Sequence, residues 1–135
     1  MGIGYFHLPM IWLIFFVQLN LIISQRSINI IEPQKDIFWD FDSIHNVKFN
    51  YPLGNNTPEN VNFYFSLYSN LNIKILDLGS KTMMVNSEKD VLIFPLSIKF
   101  HEQIQSSPSV LITVQGNTVQ GVSSDFMIKK SYFEY

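Results

Sequence analysis

Three carboxylates crowd one tryptophan in the stretch DIFWDFD, where Asp36, Asp40 and Asp42 surround Trp39. Two acids beside an aromatic ring are what a glycosidase needs. One protonates the leaving oxygen, and the other attacks the sugar or activates water. The same residues also suit an inter-strand loop, because aspartate bonds its own backbone in turns and a tryptophan can plug the edge of a sheet. The loop reading is preferred. His45 and His101 have no second ligand nearby at a metal-binding interval, and His101-Glu102 is a bare pair. The chain contains no cysteine. It also lacks a nucleophile elbow and a glycine-rich phosphate loop. We therefore expect no catalytic residue, no metal and no cofactor.

A different kind of chemistry is offered by VNFYFSLY, residues 61–68. Its alternation sends Val61, Phe63, Phe65 and Leu67 to one face, and Asn62, Tyr64, Ser66 and Tyr68 to the other. Tyr64 and Tyr68 then share a face at a spacing of roughly 13 Å along an extended strand. Flat phenol rings at a surface stack on the apolar faces of sugars, and their hydroxyls bond at the rim. If the strand were central and covered on both sides, the tyrosines would only pack. Tyr64, Tyr68 and Trp39 are the candidate ligand-binding residues. Asn55 opens a glycosylation sequon, Asn55-Asn56-Thr57, in a loop-like stretch.

These side chains must be positioned by strands. SINIIEP places Ile28 and Ile30 on one face, and HNVKFNYP places Val47, Phe49 and Tyr51 on one face. NIKILDLG does not alternate cleanly: Ile73, Ile75 and Asp77 fall on one side, Lys74, Leu76 and Leu78 on the other. KTMMV reads as a short edge strand. DVLIFPLSI carries Pro95, which cannot donate to a ladder and belongs at an edge or bulge. SVLITVQG sets Val110, Ile112 and Val114 together and turns at Gly116-Asn117. The last run, VQGVSSDFMI, breaks its alternation at Gly121 and Ser123-Ser124 before Phe126 and Ile128. A bulge, a crossing between sheets or a plain loop would each produce that break. About seven strands with no convincing amphipathic helix argue an all-β fold, an antiparallel β-sandwich. Its core should include Phe63, Phe65, Ile112, Val114, Phe126 and Ile128.

The chain has 135 residues, a net charge of -2 and 47% hydrophobic residues. It is too apolar for a disordered segment and has no basic field to attract nucleic acid. Residues 1–24 contain no Lys, Arg, Asp or Glu. They read as a secretory signal peptide helix cut after Ser24, leaving residues 25–135 as one domain. The alternatives are an uncleaved membrane anchor, although the apolar run is short for a span, and a buried core helix. A membrane partner is expected only if the segment is retained.

The order of these elements resembles the fungal Ser-Thr-rich glycosylphosphatidylinositol-anchored membrane family. It also resembles the N-terminal domain of yeast cell-wall β-1,6-glucan assembly proteins. The resemblance is carried by Ile28, Ile30, Pro33 and Trp39, by Val47 and Phe49, and by Val61, Phe63 and Phe65. It continues through Phe94-Pro95 and Val110, Ile112 and Val114, and ends in Val119, Gly121, Ser123, Phe126 and Ile128. Phe41-Asp42 replace a usual glycine, and Tyr51 and Leu92 stand where tryptophan is usual. The resemblance implies an Ig-like sandwich without enzymatic activity, secreted or at the cell surface, with wall polysaccharide or wall proteins as partners. No Ser/Thr-rich stalk or hydrophobic anchor signal follows, so a free secreted domain is implied. A small secreted interaction or effector protein with a protein partner is the alternative.

Overall fold

The computed structural model describes residues 27–53 and 57–130. The expectations for the signal segment 1–24 and for Asn55 lie outside the described residues. Among the described residues nine strands and one short helix follow in order: β1 Asn29–Glu32, β2 Phe38–Asp40, β3 Ile44–Asn50, β4 Glu59–Ser69, β5 Lys74–Val85, β6 Leu92–Ser97, α1 Glu102–Gln105, β7 Val110–Gln115, β8 Gln120–Val122 and β9 Met127–Lys129. The fold is all-β. One sheet has the order β1-β3-β6, another β5-β4-β7-β8, and β2 pairs with β9. Every pairing is antiparallel except β2 with β9, which is parallel, Trp39 facing Ile128. That pair departs from an all-antiparallel expectation. Its segments are far apart in sequence, so no hairpin signal announces it.

The inner faces of the two larger sheets meet through aromatic rings. Phe49 of β3 lies edge-on to Phe63 and Phe65 of β4, with centroids 4.9 and 5.7 Å away. Phe94 of β6 stacks flat on Phe65 at 3.8 Å. All six residues expected in the core are buried, and Val47, Tyr51, Val61 and Leu67 join them. Burial of this many large side chains supplies the main folding force in a chain without disulfides.

Two seams differ in character. On one side Ile28 donates to the Gln120 carbonyl, so the chain just before β1 lies against β8. A Cβ at Gly121 would collide with the Ile28 carbonyl. Only glycine lets the two backbones approach so closely. On the other side β5 and β6 are edges, each paired on one side only among the described residues. β5 is a single strand of 12 residues, not a separate short KTMMV strand. It carries two register shifts, and Lys81 stands on the inner register opposite Phe63 while remaining exposed. β6 carries Pro95 opposite Asn46. Bulges, inward charges and proline are the features that discourage a sheet edge from pairing with another chain.

The broken alternation near the end marks a change of partner. β8 pairs with β7 as far as Val122. Ser123 N–H then donates to the Ile112 carbonyl, and the Ser123 hydroxyl accepts the Ile112 N–H at 2.8 Å. A side chain thus completes the ladder where the strand departs. Phe126 makes a single bridge to Val110, and β9 continues onto β2.

Candidate functional site

The four-stranded sheet turns one face to the core and leaves the other open. β4 is central in it, between β5 and β7. Its apolar residues Val61, Phe63, Phe65 and Leu67 are at most 1% exposed. Strand alternation therefore pushes Asn62, Tyr64, Ser66 and Tyr68 to the opposite face. Tyr64 is 51% exposed, and Tyr68 is half-buried. The strand is central, yet its outer face is uncovered among the described residues.

Neighbouring strands furnish neutral polar groups around the rings. Ser80 and Gln115 flank Tyr64 on either side, and Thr82 lies beside Asn62. Thr113 stands beside Ser66, Leu111 beside Tyr68, and Gln120 and Val122 extend the face on β8. The Asn62 side-chain amide donates to the Tyr64 hydroxyl at 2.8 Å, which fixes that end of the ring. The phenol keeps its own proton to donate.

One ion pair sits on this face. From Val85 down to Gly79 the odd-numbered residues of β5 hold the inner register, opposite Glu59, Val61, Phe63 and Phe65. Unbroken alternation would then turn Asp77 inward. Instead Gly79, at φ 118°, precedes a shift that leaves Leu78 unmatched and sets Asp77 opposite Ser66. A bulge re-aims a side chain in this way. Asp77 Oδ1 accepts from the Ser66 hydroxyl at 3.2 Å and faces Lys74 Nζ at 2.6 Å. The hydrogen bond from Lys74 holds the Asp77 carboxyl below its ordinary range. The same bond raises Lys74. The two charges cancel, so the face carries no net charge at this point.

Trp39 is elsewhere. The expectation of an exposed ring is corrected: it is 5% exposed, stacked on His45 at 4.7 Å and tilted against Phe126 at 4.7 Å. Its place on β2, sealed by β9, makes it a core residue. Tyr64 and Tyr68 are brought together on one surface, and Trp39 does not join them.

The three aspartates beside it hold backbone positions. Asp36 and Asp42 adopt φ of 62° and 63°, a left-handed conformation that Asp tolerates better than most residues. Asp36 N–H donates to the Asp125 carbonyl, and Asp42 N–H to that of Ile98. Asp40 lies within β2 opposite Lys129. His45 Nε2 lies 3.2 Å from the Asp40 carbonyl. His101 caps α1 by accepting the Gln103 N–H. Among the described residues no group of three His, Asp or Glu could hold a metal ion.

The sequence placed Tyr64 and Tyr68 on this face, but regular alternation gave no sign that Lys74 and Asp77 share it. The signal that could have found them was the failed alternation in NIKILDLG ahead of a glycine, which is how a bulge looks in sequence.

Comparison with known proteins adds little to this geometry. No family model matches the chain, and no curated protein does. A solved structure, the Pseudomonas fluorescens alkylpurine DNA glycosylase AlkC bound to DNA containing an abasic site analog, is similar at a TM-score of 0.47 and 11% identity. The match covers 82% of this chain and 33% of that one.

Proposed function

We propose that this protein is a non-enzymatic, secreted or cell-surface binding domain with an Ig-like β-sandwich fold. It holds neutral wall polysaccharide, or organises it with wall proteins, on the open face of its four-stranded sheet. The observation that carries this reading is the pair Tyr64 and Tyr68 on an uncovered central strand, amid Asn, Ser, Thr and Gln side chains. Flat rings amid neutral donors and acceptors match a ligand with apolar ring faces and many hydroxyls. The order of residues from Ile28 to Ile128, similar to that of the fungal wall families, and the uncharged segment 1–24 support a place outside the cell. Retention on particulate wall glucan tests the reading. The wild-type domain should be retained, and Tyr64→Ala/Tyr68→Ala should pass through with its circular dichroism unchanged. Equal retention of the two proteins would overturn it.

A second reading is a small secreted interaction protein with a protein partner. It is favoured by the tip between β4 and β5, where Leu71 and Ile73 are 76% and 58% exposed. The tip is ordered, since the Ser69 hydroxyl accepts from both of their N–H groups. In that case glucan would not retain the wild-type domain.

A further inference from the structure

We propose that Lys74 and Asp77 form a donor–acceptor clamp that reads two neighbouring hydroxyls on a neutral, polyhydroxylated ligand laid along β4. This inference rests on the binding reading above and assigns the polar half of that site.

The two oxygens of the Asp77 carboxylate are used unequally. Both protein partners, Ser66 and Lys74, lie on Oδ1. Oδ2 has no partner among the described residues. An ionised carboxylate offers about four lone-pair sites over its two oxygens. Asp77 is therefore oriented through one oxygen and presents the other to solvent. Lys74 has three N–H donors, of which the carboxylate takes one, leaving donors beside that free acceptor. The Asp77 side chain is 74% exposed and that of Lys74 49%, so a ligand can reach both.

Position on the sheet supplies the rest. Asp77 is opposite Ser66, midway between Tyr64 and Tyr68 along β4, and Lys74 is opposite Tyr68. A chain stacked on both rings passes over the gap that the clamp borders. One of its hydroxyls donates to Oδ2, and the adjacent hydroxyl accepts from Nζ. An isolated hydroxyl satisfies only half of the clamp. The bulge at Leu78 turns Asp77 outward at this one place, which is the kind of local distortion that re-aims a functional side chain.

A charged ligand fits less well. The site pairs one cation with one anion, so an acidic chain meets Asp77 and a basic one meets Lys74. The neutral diol uses both groups without leaving either uncompensated.

Periodate cleaves the bond between neighbouring hydroxyl-bearing carbons, and borohydride then reduces the aldehydes that would otherwise react with lysine. β-1,6-linked wall glucan, whose every ring keeps neighbouring free hydroxyls, should lose the wild-type protein after this treatment while the untreated polymer retains it. Asp77→Asn and Lys74→Met should each weaken binding to untreated glucan about tenfold, the order expected for losing a hydrogen bond to a charged group. Ser66→Ala should weaken it less, because Ser66 only orients the carboxylate. Thermal midpoints check that each variant is folded. Unchanged binding after oxidation, or full affinity in Asp77→Asn, would overturn the clamp and leave the tyrosine platform standing. Failure of the wild-type protein to bind untreated glucan would overturn the platform and the clamp together.

Discussion

Gly121 and Ile28 touch backbone to backbone: the glycine Cα rests against the isoleucine carbonyl, with no space for a β-carbon between them. That contact closes one seam of the molecule, because Ile28 also donates to Gln120. Gly121→Ala must push the chain ahead of β1 away from β8. We expect a loss on the order of 1–3 kcal/mol, the usual cost of overpacking. Urea unfolding measures it. A variant as stable as the parent would mean that the seam is not closed here.

Phe126 is fully buried, against Trp39 and beside the crossing from β8 to β9. Removing a buried phenyl ring costs about 3–5 kcal/mol, and a domain of this size has only about 5–15 kcal/mol in total. Phe126→Ala should therefore lower the thermal midpoint steeply or prevent folding. Tryptophan fluorescence should shift to the red as Trp39 is exposed.

Ser123 completes a ladder with its side chain. Ser123→Ala leaves the buried Ile112 N–H without an acceptor, at a cost of about 1–3 kcal/mol. Ser124→Ala next to it removes an exposed hydroxyl and should change stability by no more than about 0.5 kcal/mol. The difference between the two variants in chemical denaturation measures what the Ser123 hydroxyl contributes through its bonds to the Ile112 N–H and the Ser124 carbonyl.

The Lys74–Asp77 pair has a definite pH signature. Asp77 is lowered, so whatever the pair contributes to stability is present above the unfolded carboxyl value and lost as pH falls through the depressed folded value. Lys74 is raised, so at the alkaline end the contribution is present below the unfolded amine value and lost as pH rises through the folded one. Both groups are exposed, and the amount is small. Carbon-detected NMR should find Asp77 titrating below an ordinary aspartate, and Lys74→Met should move it upward. No upward movement would show that the two side chains do not pair in solution.

Binding to a neutral polysaccharide releases no counterions. Retention of the wild-type domain should therefore be nearly the same at low and physiological salt. An exposed charged contact would instead weaken as screening rises. A collapse of retention with salt would point to a charged partner.

Much of the sheet was legible because period-two alternation is a local signal. In β4 it sorted the buried Phe63 and Phe65 from the outward Tyr64 and Tyr68 without error. Three features were not legible, each for a physical reason. The parallel pairing of β2 with β9 joins residues nearly 90 positions apart, and pairing at that range leaves no mark in either segment. Burial of Trp39 follows from that pairing, so its ring stood among the candidate ligand-binding residues. The run NIKILDLG gave Asp77 no definite face because an unmatched residue exchanges the two faces of a strand. Leu78 and Ile75 do so twice within β5.

The unpaired rims of β5 and β6 bear on how many copies could share one polymer. A long extended rim normally invites another chain to zip onto it, and crowding along a scaffold raises that risk. Here the kinks in β5, the misfit ammonium of Lys81 and the missing donor of Pro95 frustrate such zipping. If the domain binds wall polysaccharide as proposed, copies lined up on a single strand would stay separate, like beads on a thread, and each could detach without having to unravel from its neighbour.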